Sequence, residues 1–181
     1  VTRRRRMLKS LETGPELGDH VEAAVLPADT DPQLYLAYNR LAQPFHLICQ
    51  HDTVLSQMSG TVEVHLRESS VNRFVMGTGD HVYVPAGTPH RIVPREEGVT
   101  LRYMPLDAGR LGVAWFCAGC GHELTRYEWE HDNDVPLSHY YAATCTRFTA
   151  DEAARTCRDC AAVHPEIDLS AFELPEAVGT S

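Results

Sequence analysis

Two cysteine pairs, Cys117-Ala-Gly-Cys120 and Cys157-Arg-Asp-Cys160, carry the most specific chemistry in this sequence. Thiolates two residues apart can grip one tetrahedral ion, because the tight turn between them aims both sulfurs inward. Gly121 follows the first pair and lets the chain turn with backbone N–H groups directed at sulfur; Ala161 stands at the equivalent place after the second. Four thiolates suit Zn²⁺ or a single iron, and they close the coordination sphere, so the ion is expected to be structural. Two disulfides, or four unrelated buried cysteines, are the competing readings. Cys49 and Cys145 are left over, Cys145 as a packing residue.

Histidines and carboxylates form the second group. Gly79-Asp-His-Val-Tyr-Val-Pro-Ala-Gly-Thr-Pro-His90 reads as a strand from Val82 to Val84, a turn at Pro85-Ala86-Gly87, and a histidine opening the next strand. This resembles the second sequence motif of the cupin superfamily, in which that histidine ligates a metal inside the barrel. The first cupin motif then lies upstream and ends at a glycine between two strands, which Gly60 fits.

His46 lies 44 residues before His90, and Asp52 lies six after His46. In one extended strand the side chains of His46 and Asp52 would be about 20 Å apart. A fold-back through Cys49-Gln50-His51 would let them share an ion. His46, Asp52 and His90 would then form a 2-His-1-carboxylate set, which leaves three faces of Fe(II) open for O₂ and a chelating substrate. His51 and Cys49 are rival ligands, and aligning backward from Gly60 puts Thr53 at the carboxylate position. His65 and His81 read as ordinary strand residues at the surface.

The elements that must position these groups are mostly strands. From about Gln33, short period-2 runs such as Leu34-x-Leu36-x-Tyr38, Val62-x-Val64-x-Leu66 and Val99-x-Leu101-x-Tyr103 alternate with turn clusters. Gly60, Ser69-Ser70-Val71-Asn72, Gly77-Thr78-Gly79-Asp80 and Pro85-Ala86-Gly87 supply the turn chemistry. The pattern predicts an all-β barrel or sandwich built from hairpins. Before it, Met7 to Ala24 carry a loose helical spacing interrupted at Gly14-Pro15. After it, Gly109-Arg110-Leu111-Gly112 breaks the alternation and a segment rich in Cys, His and aromatics begins. The expected division is an N-terminal extension with short helices over 1–30, a barrel core over 31–110, a metal-binding segment over 111–165 packing on the barrel and a loosely held tail over 166–181.

With 181 residues and 43% hydrophobic content, the chain can bury one principal core. A formal charge of −9 argues against a sequence-independent nucleic-acid surface. Arg3 to Arg6 form the single basic run and read as a solvated tail. No stretch approaches the ~20 apolar residues needed to cross a bilayer, and the first 30 residues lack a secretory apolar region. The expectation is a cytoplasmic protein with reduced thiols, in which cysteine pairs bind metal.

The order of these motifs resembles bacterial 3-hydroxyanthranilate 3,4-dioxygenase. The resemblance rests on the cupin motif, then Trp115-Phe-Cys-Ala-Gly-Cys-Gly-His122, Val135-Pro-Leu with Tyr140-Tyr141-Ala142, Cys157-Arg-Asp-Cys160 and Val163-His-Pro165, and covers about residues 30–165. It implies a cupin barrel with catalytic Fe(II), a rubredoxin-like second site holding Fe or Zn, and a homodimer. It also implies O₂-dependent ring opening of 3-hydroxyanthranilate or a related aminophenol, on the route to quinolinate and NAD.

Carried over residue by residue, His46, Asp52 and His90 match the family's ligand spacing, with Asp in place of Glu. Ala42 and Pro94 stand where the family has substrate-binding arginines, with Arg95 one step on, and Tyr103 to Pro105 hold no acid/base Glu. Arg95 and Tyr103 are the remaining candidates for handling an anionic aromatic substrate. A divergent cupin metalloenzyme with another small substrate, or a noncatalytic ligand-binding cupin, are the alternatives.

Overall fold

The computed structural model describes residues 7–67 and 72–172. The basic run Arg3–Arg6, the expected turn residues Ser69-Ser70-Val71 and the tail beyond 172 lie outside the described residues. The chain enters through a single-turn helix, α1 (Ser10–Thr13), and a 3-10 turn over Gly14–Glu16. Pro15 sits in the first turn of the latter, where its missing N–H has no intrahelical partner to lose.

Strands follow in chain order as β1 (Ala23–Ala24), β2 (Gln33–Asn39), β3 (His46–Cys49), β4 (Thr53–Gln57), β5 (Thr61–Leu66) and β6 (Arg73–Met76). Then come β7 (His81–Val84), β8 (His90–Glu96), β9 (Gly98–Met104), β10 (Arg110–Phe116) and β11 (Glu123–Glu130). Two helices, α2 (Leu137–Ala150) and α3 (Glu152–Arg155), and a 3-10 turn over Leu169–Phe172 complete the described chain.

The strands form two antiparallel sheets, one ordered β1-β2-β9-β4-β7 and the other β11-β10-β3-β8-β5-β6. Alternation explains the layering. In β5, Val62, Val64 and Leu66 are buried while Thr61, Glu63 and His65 look outward. With Leu55, Met76, Val82, Val84 and Ile92, these side chains fill one end of the space between the sheets. Gly60 turns β4 into β5 with φ 71°, and a Cβ there would collide with the Glu97 carbonyl, so glycine is required twice over.

The second sheet does not stop at the boundary expected near residue 110. β10 pairs with β3 on one side and β11 on the other, carrying the sheet on to Glu130. Helix α2 then lies across it. Leu137, Tyr141, Cys145 and Phe148 share one helical face and pack on Leu47, Val113 and Trp115 of the sheet. Trp115 and Phe148 stack at 4.1 Å and 7°. The segment that brings in the cysteines thus shares a core with the barrel. Phe172 is also buried, so the start of the expected tail is packed.

Candidate metal centre and barrel interior

The four cysteines of the two C-x-x-C pairs meet. Their sulfurs all lie within 4.8 Å of one another, with Cys117 to Cys160 at 3.5 Å and Cys120 to Cys157 at 3.4 Å. Metal–sulfur bonds of about 2.3 Å in a tetrahedron put sulfurs about 3.8 Å apart, so the donor set fits one ion. All six cysteines are free thiols.

Backbone geometry explains the convergence. The N–H of Cys117 donates to the His122 carbonyl at 2.8 Å, and Gly121 N–H returns to the Cys117 carbonyl at 2.9 Å. The second pair repeats both bonds, Cys157 to Ala162 and Ala161 to Cys157, each at 2.9 Å. Gly121 and Ala161 both take positive φ, 79° and 59°. The alanine departs from the expected glycine yet adopts the same left-handed turn, at a local cost of about 1–2 kcal/mol.

The expected iron triad is not brought together. Leu47 pairs across β3 and β8 with His90, and directly opposed residues share a face of the sheet. His46, the neighbour of Leu47 in the strand, therefore projects to the opposite face from His90. Asp52 lies in the exposed turn before β4, where its Oδ1 accepts from the Ala86 N–H at 2.8 Å. His51 is exposed, leaving Cys49 as the one rival ligand that faces the interior. Among the described residues, the four cysteines are the one group of three or more donors placed to hold a metal.

Arg95 and Tyr103 are also elsewhere. Arg95 donates to Glu63 at 2.7 Å on the exposed outer surface, and Tyr103 faces outward between Leu34 and Val54. His65 and His81 hydrogen-bond to Glu63 and Ser56, in keeping with surface roles.

What surrounds His90 is a buried polar network, in which Arg102 Nη2 is left without a partner among the described residues. The Nδ1 of His90 bonds the Thr88 carbonyl at 3.0 Å, and its Nε2 accepts from Arg102 Nη1 at 2.7 Å. Arg102, fully buried on β9, also donates through Nε to Glu22 at 2.7 Å. The other Glu22 oxygen accepts from the Tyr141 hydroxyl of α2. Thr53 takes the inward position at the start of β4 and is buried.

Burial, and then the Arg102 charge, hold His90 down to about 3, so it stays neutral. Burial works against the charge on Arg102, but the Glu22 carboxylate beside it outweighs that cost. Burial pushes Cys49 up to about 11, making it an inert thiol.

A second arrangement lies on the outer face. His46, Arg67, Arg91, Phe116 and Val163 line a cleft of about 280 Å³ between the barrel and the cysteine turns. Burial, followed by Arg91 and Arg67, lowers His46 to about 2.

Glu22, Arg102 and Tyr141 were not singled out as site residues from sequence. Arg102 did carry a signal: Thr100, Arg102 and Met104 alternate on one face of β9, so an arginine falls at an inward position. Glu22 carried none.

Neither a protein-family model nor a curated protein matches the sequence. Solved structures do. A double-stranded β-helix protein from Klebsiella pneumoniae is 19% identical, with a TM-score of 0.51 over 62% of this chain and 99% of that one. The fold is the double-stranded β-helix. A hydroquinone 1,2-dioxygenase from Sphingomonas sp. TTNP3 is 17% identical, TM-score 0.47, over 52% of this chain and 70% of that one. A cupin-2 protein from Shewanella frigidimarina is 20% identical, TM-score 0.42, over 48% and 81%.

Proposed function

We propose that this chain is a noncatalytic ligand-binding cupin whose one resident metal sits in the four-cysteine centre. The carrying observation is the Arg102 guanidinium 2.7 Å from His90 Nε2. An Fe(II) ion at that nitrogen would face a fixed positive charge, and among the described residues no two further His, Cys or carboxylate donors converge with His90 on one ion. Ring opening of 3-hydroxyanthranilate needs iron with open faces, and the residues of this barrel do not fit that iron.

In this reading the barrel network locks the N-terminal segment onto β9 and α2 through Glu22, Arg102 and Tyr141. The thiolate centre, holding Zn or Fe, ties the end of β10 to the segment after α3. Association into a homodimer belongs to the same proposal, since twofold pairing is the commonest closed symmetry.

Metal analysis combined with O₂ uptake tests the reading. One metal equivalent per chain is expected, lost in Cys120→Ser and retained in His90→Ala and Asp52→Ala. No O₂ should be consumed with 3-hydroxyanthranilate. A second equivalent of iron that disappears in His90→Ala, with O₂ uptake, would restore the dioxygenase.

A further inference from the structure

The outer cleft collects positive charge without an obvious protein partner. His46 is 6% exposed and packs edge-on to Phe116, with ring centroids 4.9 Å apart. Neither ring nitrogen has a hydrogen-bond partner among the described residues. Arg91 faces it from the adjacent strand, because the Leu47–His90 pairing sets His46 opposite Arg91. The Nε of Arg91 is buried without a partner.

Arg67 lies over the Phe116 ring at 4.4 Å, and Arg73 lines the adjoining lobe of the cleft. Among the described residues, no carboxylate pairs with Arg67, Arg73 or Arg91. His65, at the edge, has Glu63. Three arginines converging this way repel one another unless an anion joins them. Pro44, Phe116 and Val163 make the remaining wall apolar.

We propose that this cleft binds a small aromatic carboxylate, held by Arg67 and Arg91 at its anionic end and by Phe116, Pro44 and Val163 along its ring. Guanidinium groups match a carboxylate through paired N–H donors, and an aromatic body covers the apolar wall. The inference names the site of the ligand binding proposed above and rests on that reading. A rival use for the charge exists: four thiolates on a divalent ion carry a net charge of −2, and Cys117 lines the same cleft. The two uses predict different results.

Titration calorimetry of the metal-loaded protein with sodium benzoate, and separately with inorganic phosphate, tests the proposal. Benzoate should show one saturable site per chain, weakened about tenfold or more in Arg67→Gln and in Arg91→Gln. Metal content should be unchanged in both. Arg67 is exposed, so Arg67→Gln carries the test if Arg91→Gln does not fold. No saturable benzoate binding, or binding unaltered in the folded variants, overturns the proposal. Phosphate binding as tightly as benzoate overturns the aromatic assignment, and loss of metal from the variants assigns the arginines to the thiolate centre instead. Failure of the noncatalytic reading shows by a different measurement, barrel iron with O₂ uptake.

Discussion

His90 shows how one side chain's neighbours decide its chemistry. Its Nδ1 is tied to the Thr88 carbonyl, which leaves Nε2 as an acceptor aimed into the barrel. That is the orientation a metal-ligating histidine uses, but here Nε2 accepts a hydrogen bond from Arg102. Because His90 is held near 3 in the fold against an ordinary value of 6.5, the unfolded chain binds its proton first as pH falls. The contribution is therefore complete above pH 6.5 and is lost progressively between 6.5 and 3. At pH 5 the loss from this residue is about 2 kcal/mol. Urea melts at pH 7 and pH 5 should show this drop, and His90→Gln should reduce the difference by about that amount.

At the scale of elements, the barrel interior is closed by three that are distant in sequence. The stretch Asp19 to Glu22 enters with positive φ at both His20 and Glu22, 54° and 52°, a backbone state that non-glycine residues seldom hold. Asp19 offsets the strain by accepting from the N–H groups of Arg40 and Leu41 at 2.7 and 3.2 Å. Glu22 then meets Arg102 of β9 and Tyr141 of α2. Glu22→Ala should cost about 3–5 kcal/mol, since it leaves the Arg102 charge buried and unpaired. Tyr141→Phe removes one hydrogen bond and should cost less, about 1–3 kcal/mol. Chemical denaturation of the two variants checks the order; equal effects would mean that Glu22 is not the counter-ion on which Arg102 depends.

For the whole molecule, the shared core implies that barrel and cysteine segment unfold together. Trp115 and Val113 belong to the second sheet, yet they pack on Tyr141 and Phe148 of α2. The thiolate centre closes the loop between β10 and the residues after α3. Cys120→Ser should therefore release the metal and lower the single unfolding transition of the entire chain. Calorimetry separates this from an independent knuckle: two transitions in the variant, with the barrel's melting point unchanged, would show that the segment folds alone.

The metal-binding turns were readable from the sequence because a C-x-x-C pair is local: one tight turn fixes both sulfurs, whatever the rest of the chain does. The strands of the barrel were readable for a similar reason, since period-2 alternation is a property of consecutive residues, as Val62, Val64 and Leu66 illustrate. The histidine site was not. Spacing set His46, Asp52 and His90 at plausible intervals, but a shift of one residue in strand register moves a side chain to the other face. The β3–β8 pairing puts Leu47, not His46, beside His90, and the first strand position of β4 goes to Thr53, not Asp52. The Gly60 alignment pointed to Thr53, while the carboxylate chemistry pointed to Asp52. Only tertiary structure could choose between them, or bring Glu22 across 80 positions to Arg102, because those decisions belong to the pairing of distant strands and not to any local run of residues.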